Sequence, residues 1–262
     1  MFLLSARSSN VFAHTLNAAL LMPSQRTAIV LGASGSVGAA LMRALVTGGS
    51  FTIVSLTRRS VPEQVQAALV AGVTMHEVLV PSMLPGALEV ATRDAALAAV
   101  GEVVGLSVLG IGAGTAKLTI EQHRAVDVQL NAAFARGLAT SGRVSHLAFM
   151  SAAGANIAAS AEGSGAAGMS RYNRVKGEAE AAVQACGLPV VSIFRPAMIL
   201  GSQHTPWLLA KLLPLVSFAT PTKYRSITTG QIAGAMVEVS RTIPGTSAIY
   251  HYPEMLALNV AP

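Results

Sequence analysis

The chain has 262 residues, of which 52% are hydrophobic and only 11% are charged, whereas a typical soluble domain carries about 25% charged residues. This composition argues against an intrinsically disordered chain and allows one large domain or two small ones. The single cysteine, Cys186, excludes an intramolecular disulfide and therefore the disulfide-rich secreted class.

The net charge of +6 is distributed unevenly along the chain. Residues 1–62 hold five arginines and no acid, whereas the remainder holds 13 basic and 12 acidic residues. The basic residues are scattered and aromatic residues make up only 5%, so we expect no nucleic-acid-binding surface. No run of 18 or more residues is uniformly apolar, so we expect no membrane span.

Residues 1–25 precede the first predicted strand and have three interpretations. They contain Arg7, several serines and asparagines and no acid, a composition seen in organelle transit peptides. They make a poor secretory signal, because the apolar region is interrupted and no clean cleavage site follows. We favour the third interpretation, in which translation starts at Met22, and we expect a cytoplasmic protein with organelle targeting as the alternative.

From residue 27 onward, short apolar runs alternate with segments of helical character. The predicted strands are 27–32, 51–56, 75–80, 103–109, 144–150, 190–194 and 247–251. The predicted helices are 36–46, 62–71, 91–100, 118–140, 171–186, 207–213 and 228–241. The alternation predicts an α/β fold, a Rossmann-like doubly wound parallel sheet with a small C-terminal part that covers the substrate. Residues 26–262 are expected to form one nucleotide-binding domain, in which 197–262 contribute the substrate side.

A glycine-rich turn lies between the first predicted strand and the first predicted helix, where a dinucleotide fingerprint is expected. Gly32 permits the tight turn, Gly35 lets the backbone approach a pyrophosphate at the helix N-terminus, and Gly38 allows close packing of helix and sheet. The residues predicted to bind the cofactor here are Gly32, Ser34, Gly35, Ser36, Val37 and Gly38.

Two arginines follow the second predicted strand, where NAD enzymes usually present an acid to the ribose hydroxyls. Arg58 and Arg59 occupy that place and no acid is present. Because guanidinium groups bind phosphate bidentately, the pair favours NADP(H) over NAD(H).

A serine, a tyrosine and a lysine carry the candidate chemistry. Tyr172 and Lys176 are four residues apart, so they lie on one face of the predicted helix. An ammonium beside a phenol favours the phenolate, which suits a tyrosine that exchanges a proton with a carbonyl or alcohol oxygen. Ser151 follows the fifth predicted strand at the edge where ligands bind, so its hydroxyl could bond to the same oxygen.

Taken together, these motifs resemble the short-chain dehydrogenase/reductase superfamily. Within it, the chain is most similar to the atypical group of NAD(P)H-binding, NmrA-like and HIV Tat-interacting-protein-like oxidoreductases, over about residues 26–256. The motifs that carry the resemblance are GASGSVG at 32–38, LTRR at 56–59, VLGIGAG at 108–114, FMSAAGA at 149–155, YNRVKGEAE at 172–180 and IFRPAMILG at 193–201.

The resemblance implies NADP(H) bound across the strand ends and a catalytic Tyr–Lys pair. It further implies that Lys176 holds the nicotinamide ribose, that Pro196 and Met198 border the nicotinamide, and that Gly110 and Gly112 pass close to the cofactor.

The chain also departs from the family pattern. Only Ser151 remains of the two serines usual after strand five, and it stands 21 residues before Tyr172, which implies an insertion in loop 152–170. The family's helix-four asparagine corresponds to Asp127, with Asn131 one turn later. Strand three lacks the aspartate that often contacts adenine.

The leading hypothesis is therefore an NADP(H)-dependent oxidoreductase that acts on a small-molecule carbonyl or alcohol substrate, with a homodimer as one option for its assembly. A non-catalytic NADP(H)-binding redox sensor or regulator is the second hypothesis, which the departures from the family pattern favour. An epimerase-type or assembly-factor role with bound nucleotide is a third, with no dedicated feature. We expect no metal site, because the six histidines have no metal-ligand spacing.

Overall fold

The computed structural model describes residues 26–162, 168–200 and 221–259. The strands of its main sheet are β1 (Arg26–Leu31), β2 (Thr52–Thr57), β3 (Met75–Leu79), β4 (Glu102–Ser107), β5 (Val144–Met150), β6 (Val190–Phe194) and β9 (Ala248–Tyr250). They are all parallel, in the order β3-β2-β1-β4-β5-β6-β9. This arrangement confirms the predicted α/β doubly wound fold. The strand order reverses between β1 and β4, which opens a crevice at the carboxyl ends of the strands.

Helices connect the strands of the sheet. They are α1 (Ser36–Gly48), α2 (Pro62–Val70), α3 (Pro85–Ala98), α4 (Ile120–Arg124), α5 (Asn131–Thr140), α6 (Gly168–Gln184), α7 (Thr229–Thr242) and α8 (Tyr252–Leu258). A 3-10 turn, Gly112–Lys117, precedes α4, and a π-helical segment, Ala125–Leu130, joins α4 to α5. Two short strands, β7 (Ile199–Leu200) and β8 (Ile227–Thr228), pair in parallel apart from the main sheet.

The central strands β1 and β4 are almost entirely buried because helices cover both faces of the sheet there, whereas the edge strand β3 is partly exposed. Alternate residues of β1 enter different clusters: Ala28 and Val30 pack with α1 and α7 on one face, whereas Ile29 and Leu31 pack with α3 and α5 on the other. All four of these β1 side chains are fully buried. This double burial explains why the sequence signal for the strands was strong.

Helix boundaries agree less closely with the sequence predictions. The helix predicted at 91–100 begins earlier, because Pro85 occupies the first turn, where its fixed backbone angle favours a helix start. The single helix predicted at 118–140 is divided by the π-helical segment. The strand predicted at 103–109 ends at Ser107, since the chain turns toward the 3-10 segment.

Two predicted segments lie outside the described residues, and three short observed elements were not predicted. The N-terminal segment 1–25 and the helix predicted at 207–213 lie outside them. Helix α8 and the β7–β8 pair were not predicted, because both elements are too short for a hydrophobic period to be recognised. In the described ranges, no helix has the length and apolar character needed to cross a bilayer.

Candidate active site

Ser151 lies just beyond the end of β5, at the carboxyl edge of the sheet. Its backbone N–H donates to the Phe194 carbonyl at 2.7 Å, which extends the pairing of β5 with β6 by one residue. The side chain is 3% exposed, and among the described residues its Oγ has no hydrogen-bond partner. Because a buried hydroxyl without a partner is costly, this atom indicates a place where a ligand oxygen can bind.

Tyr172 and Lys176 lie one turn apart on α6, as the motif predicted. The Lys176 Nζ is 5.8 Å from the centroid of the Tyr172 ring. Lys176 is buried, whereas Tyr172 is partly exposed. The ammonium is therefore shielded from water while the phenol stays within reach of a substrate.

The carboxylate of Asp127 is the direct partner of the buried lysine. The Lys176 Nζ lies 2.6 Å from Asp127 Oδ1, and the Ile111 N–H donates to Asp127 Oδ2 at 3.1 Å. Burial alone would raise the pKa of Asp127, but the charge of Lys176, together with the nearby His123 ring, lowers it to about 2. Burial would likewise lower the pKa of Lys176, but Asp127 raises it above its ordinary value. The pairing therefore favours the ionised form of both groups.

Asn131 stabilises the π-helical segment that presents Asp127. Its Nδ2 donates to the Asp127 carbonyl at 2.8 Å and to the Leu109 carbonyl at 3.3 Å. Its Oδ1 accepts from the Ser107 hydroxyl at 2.5 Å. A π-helical turn displaces backbone hydrogen bonds, and the Asn131 amide supplies a donor to one carbonyl of that turn. Asn131 thus joins the segment to the end of β4.

His123 is a site residue that sequence reasoning missed. Its ring stacks on the Tyr172 ring with centroids 5.7 Å apart, and its Nε2 lies 3.6 Å from Asp127 Oδ1. The side chain is 1% exposed, and neither ring nitrogen has a hydrogen-bond partner by geometry among the described residues. The four-residue spacing of His123 and Asp127 predicts that the two side chains share one helix face. It does not predict that this face packs against α6, so it could not identify His123 as a site residue.

The glycine-rich turn lies beside this cluster. Gly32 has φ +92°, and a methyl group there would lie 2.7 Å from the Leu109 backbone nitrogen, so only glycine fits. Gly35 is the N-cap of α1 and provides no side-chain cap, and it is exposed together with Ser34. Ser36, Val37 and Gly38 form the first turn of the helix, and the last two are buried. Because Gly35 has no side chain, it cannot cap the first backbone N–H groups of α1. Such groups at a helix N-terminus can bind an anion.

Arg58 and Arg59 are exposed immediately after β2, which is the neighbour of β1. The Arg59 carbonyl accepts from Thr57 Oγ1 at 2.6 Å. On the same side, Gln64 Nε2 of α2 donates to the Ala33 carbonyl at 2.9 Å and so joins α2 to the glycine-rich turn. The two arginines consequently lie at the same edge as the turn but away from Ser151 and Tyr172.

The remaining predicted residues surround the carboxyl ends of β4 and β6. A methyl group on Gly110 would lie 3.0 Å from Lys176 Nζ, so Gly110 directly covers the buried ion pair. Gly112 has φ +65° at the start of the 3-10 turn. Pro196 is buried and its carbonyl accepts from Ala153 N–H at 2.9 Å, whereas Met198 is 39% exposed.

No family model and no curated protein matches the chain. Solved structures do match it. A short-chain dehydrogenase/reductase from Serratia marcescens is 16% identical, with 89% of this chain and 100% of that chain covered and a TM-score of 0.62. A 3-oxoacyl-[acyl-carrier protein] reductase from Brucella melitensis is also 16% identical, with 89% and 98% covered and a TM-score of 0.63.

A more distant enzyme shares the same architecture. UDP-glucuronic acid 4-epimerase from Bacillus cereus, solved with NAD, is 13% identical, with 86% of this chain and 77% of that chain covered and a TM-score of 0.60. The chain therefore has the Rossmann-like fold of the short-chain dehydrogenases/reductases.

Proposed function

We propose that the chain is an NADP(H)-dependent oxidoreductase that transfers a hydride between the nicotinamide and a carbonyl or alcohol carbon. The observation that carries this proposal is the buried Ser151 hydroxyl, which has no partner in the described part of the chain and lies at the same sheet edge as the Tyr172–Lys176 pair. Names of the matching structures, which include a dehydrogenase/reductase and a 3-oxoacyl reductase, support this class of reaction. Membership in the atypical group is part of the proposal and rests on the sequence motifs.

The cofactor-binding part of the proposal depends on the glycine-rich turn and on the arginines. The turn fits a pyrophosphate, because Gly32 cannot carry a side chain and no acid lies in the first turn of α1. The exposed side chains of Arg58 and Arg59 fit a 2′-phosphate. Lys176 would hold the nicotinamide ribose, with Gly110, Gly112, Pro196 and Met198 close by.

The protein side chains would handle the proton. The bound nicotinamide supplies or accepts the hydride. Tyr172 exchanges the proton with the substrate oxygen, and the Ser151 hydroxyl donates a hydrogen bond that orients the same oxygen. Lys176, fixed by Asp127, provides the positive charge beside the phenol. In this proposal residues 197–262 contribute the substrate side of a cytoplasmic enzyme.

The test begins with titration of the purified full chain with NADPH and with NADH, followed by nucleotide fluorescence. Preferential binding of NADPH justifies a panel of carbonyl compounds with Tyr172→Phe, which we expect to abolish turnover while NADPH affinity is retained. Tyr252→Phe on α8 is the matched control. Tight NADPH binding without turnover on any compound would favour the sensor hypothesis, and absence of binding of either nucleotide would overturn both hypotheses.

A further inference from the structure

A carboxylate on β3 holds the loop that carries the two arginines after β2. Glu77 Oε1 accepts from the Val61 N–H at 2.8 Å, and Glu77 Oε2 accepts from the Ser60 hydroxyl. Glu77 pairs in register with Ser55, so it lies on the neighbouring strand a short way before the end of β2. One side chain therefore ties the loop that follows β2 to β3.

The Val61 N–H needs an acceptor from outside its own helix. Val61 is the N-cap of α2, where backbone donors have no partner within the helix, and its side chain provides no cap. Pro62, the next residue, has no N–H. A carboxylate is a stronger acceptor for such a donor than a neutral group, and a negative charge is favourable at a helix N-terminus. Glu77 therefore fixes the start of α2 together with the loop.

The same segment is held at two further points. The Thr57 hydroxyl donates to the Arg59 carbonyl at 2.6 Å, just after the end of β2. Gln64 Nε2 of α2 donates to the Ala33 carbonyl at 2.9 Å, in the glycine-rich turn. Because α2 is bonded to that turn while Glu77 holds the start of α2, the backbone of the arginine loop has a fixed position relative to the turn.

Glu77 does not act by pairing with the arginines. Arg58 and Arg59 are exposed, and among the residues that the structure describes no ion pair joins either of them to a carboxylate. Both oxygens of Glu77 accept from other groups of the loop instead. Because groups that are already held in place lose less freedom on binding, a fixed loop should strengthen the recognition of a phosphate by the two guanidinium groups.

We propose that Glu77 is a positioning residue that selects NADP(H), because it holds the loop in the arrangement in which Arg58 and Arg59 meet the 2′-phosphate. This inference rests on the proposed function and deepens it, since it makes the choice of nucleotide depend on an acid that does not touch the cofactor. The competing role for an acid at this place is to accept from the ribose hydroxyls, as the acid after the second strand does in NAD enzymes.

Charge and position predict opposite signs for the loss of this acid. A carboxylate near a phosphate repels it, so by charge alone its removal should tighten NADPH binding. If Glu77 positions the loop, its removal should weaken NADPH binding and leave NADH binding unchanged, because NADH has no 2′-phosphate. A carboxylate that accepted from the ribose hydroxyls would give a third pattern, with weaker NADH binding and a larger preference for NADPH.

The binding experiment titrates the purified full chain with NADPH and with NADH, by nucleotide fluorescence at one salt concentration. In Glu77→Ala we expect NADPH to bind about 10-fold more weakly, the lower end expected for the loss of a hydrogen bond to a charged group. Glu77→Gln removes the same charge but keeps an oxygen that can accept from the Val61 N–H, so it should retain most of the preference for NADPH. Glu63→Gln is the matched control, because it removes an exposed carboxylate from the first turn of the same helix and should leave both affinities unchanged.

A second readout needs no nucleotide. Exchange of the Val61 amide hydrogen, followed by NMR of protein labelled with nitrogen-15, reports the bond to Glu77 directly. We expect this exchange to be about 10-fold faster in Glu77→Ala and close to the natural rate in Glu77→Gln. The Ala71 amide, which donates to the Ala67 carbonyl at the other end of α2, should exchange at an unchanged rate. Equal acceleration at Ala71 would mean that the whole helix is loosened, and would contradict a local role of Glu77.

The outcomes separate this inference from the function on which it rests. Tighter NADPH binding by Glu77→Ala, a selective loss of NADH binding, or an unchanged rate of Val61 exchange would each overturn the inference alone. A natural protein that binds neither nucleotide would overturn the proposed function and this inference with it. If Glu77→Ala does not fold, Ser60→Ala removes one of the two bonds to Glu77 and should lower the ratio of NADPH to NADH affinity by a smaller factor. An unchanged ratio in Ser60→Ala would then reject the role of Glu77.

Discussion

Gly38 packs its α-carbon so closely against the carbonyl oxygen of Gly32 that a methyl group at position 38 would overlap that oxygen. The contact is between backbone atoms, which cannot move aside as a flexible side chain can. We expect Gly38→Ala to lower the free energy of unfolding by about 1–3 kcal/mol, the usual cost of overpacking, and to weaken nucleotide binding because the turn is displaced. Chemical denaturation and NADPH titration measure the two effects.

Gly48→Ala is the control in the same helix, because a methyl group at position 48 meets nothing within 4 Å. It should leave nucleotide binding unchanged and stabilise the protein by up to about 1 kcal/mol. If Gly38→Ala were as stable as Gly48→Ala, the close approach of the turn to α1 would be wrong.

The strands were predictable because their signal is local. Burial on both faces makes the central strands short and mostly apolar, and the predicted bounds of β5 and β6 match the structure residue for residue. Ser151, Tyr172 and Lys176 could be selected because fixed spacing relates each to a strand end or a helix face. The sequence singled out Asp127 only as the counterpart of a family asparagine, and it did not single out His123. The contacts of both residues depend on a π-helical segment and on its packing against α6, which brings together elements distant in sequence.

Ser151 and Ser192 provide a matched pair of serines with opposite expectations. Because the Ser151 Oγ has no partner among the described residues, Ser151→Ala should change the free energy of unfolding by less than about 1 kcal/mol. Turnover should fall about 10²-fold, as when one donor to a reacting oxygen is removed.

The Ser192 Oγ, by contrast, lies 2.9 Å from His146 Nε2 in a fully buried pair. Ser192→Ala should therefore cost about 1–3 kcal/mol of stability and leave the turnover of the remaining folded protein unchanged. Denaturant titration and steady-state rates on both variants test the assignment. A Ser151→Ala variant with full turnover would remove Ser151 from the mechanism.

The Asp127–Lys176 pair should be costly to break from either side. Both side chains are buried, so Asp127→Ala leaves an ammonium without a partner and should cost about 3–5 kcal/mol. The double variant Asp127→Ala, Lys176→Met removes both charges and should cost less than the sum of the two single variants. Denaturation of all four proteins gives the coupling energy.

Glu89→Gln is the comparison for an exposed pair, because Glu89 pairs with Arg136 at the surface. Its cost should be below about 1 kcal/mol. Additive costs for Asp127 and Lys176 would show that the two side chains do not form the pair in solution.

The arginines after β2 should determine the choice of nucleotide. Arg58→Ala and Arg59→Ala should each weaken NADPH binding by about 10-fold or more and leave NADH binding unchanged, because only NADPH carries the 2′-phosphate. Arg43 on α1 is also exposed, so Arg43→Ala removes one positive charge at a different place on the surface. It should leave the ratio of NADPH to NADH affinity unchanged. Fluorescence titration at one salt concentration gives all the affinities. An unchanged NADPH/NADH ratio in both variants would discard the assignment.

His146 should make the protein acid-sensitive. Burial lowers the pKa of His146 from 6.5 to about 4, because the imidazole lies between β4 and β6 away from water. Below pH 6.5 the unfolded chain takes up a proton at this position while the folded chain does not, so stability falls as the pH falls toward 4. The difference corresponds to roughly 3 kcal/mol, and above pH 6.5 His146 adds no slope.

His146→Gln keeps a polar atom near Ser192 but cannot take up this proton. It should be less stable than the natural protein at pH 7.5, since the ring packing is lost, and should show a shallower loss of stability between pH 6.5 and 4. His76→Gln on β3 is the control, because His76 is exposed to water in the folded state. Unfolding free energies at several pH values measure the slopes. Equal slopes for the natural protein and His146→Gln would contradict the lowered pKa of His146 in the folded state.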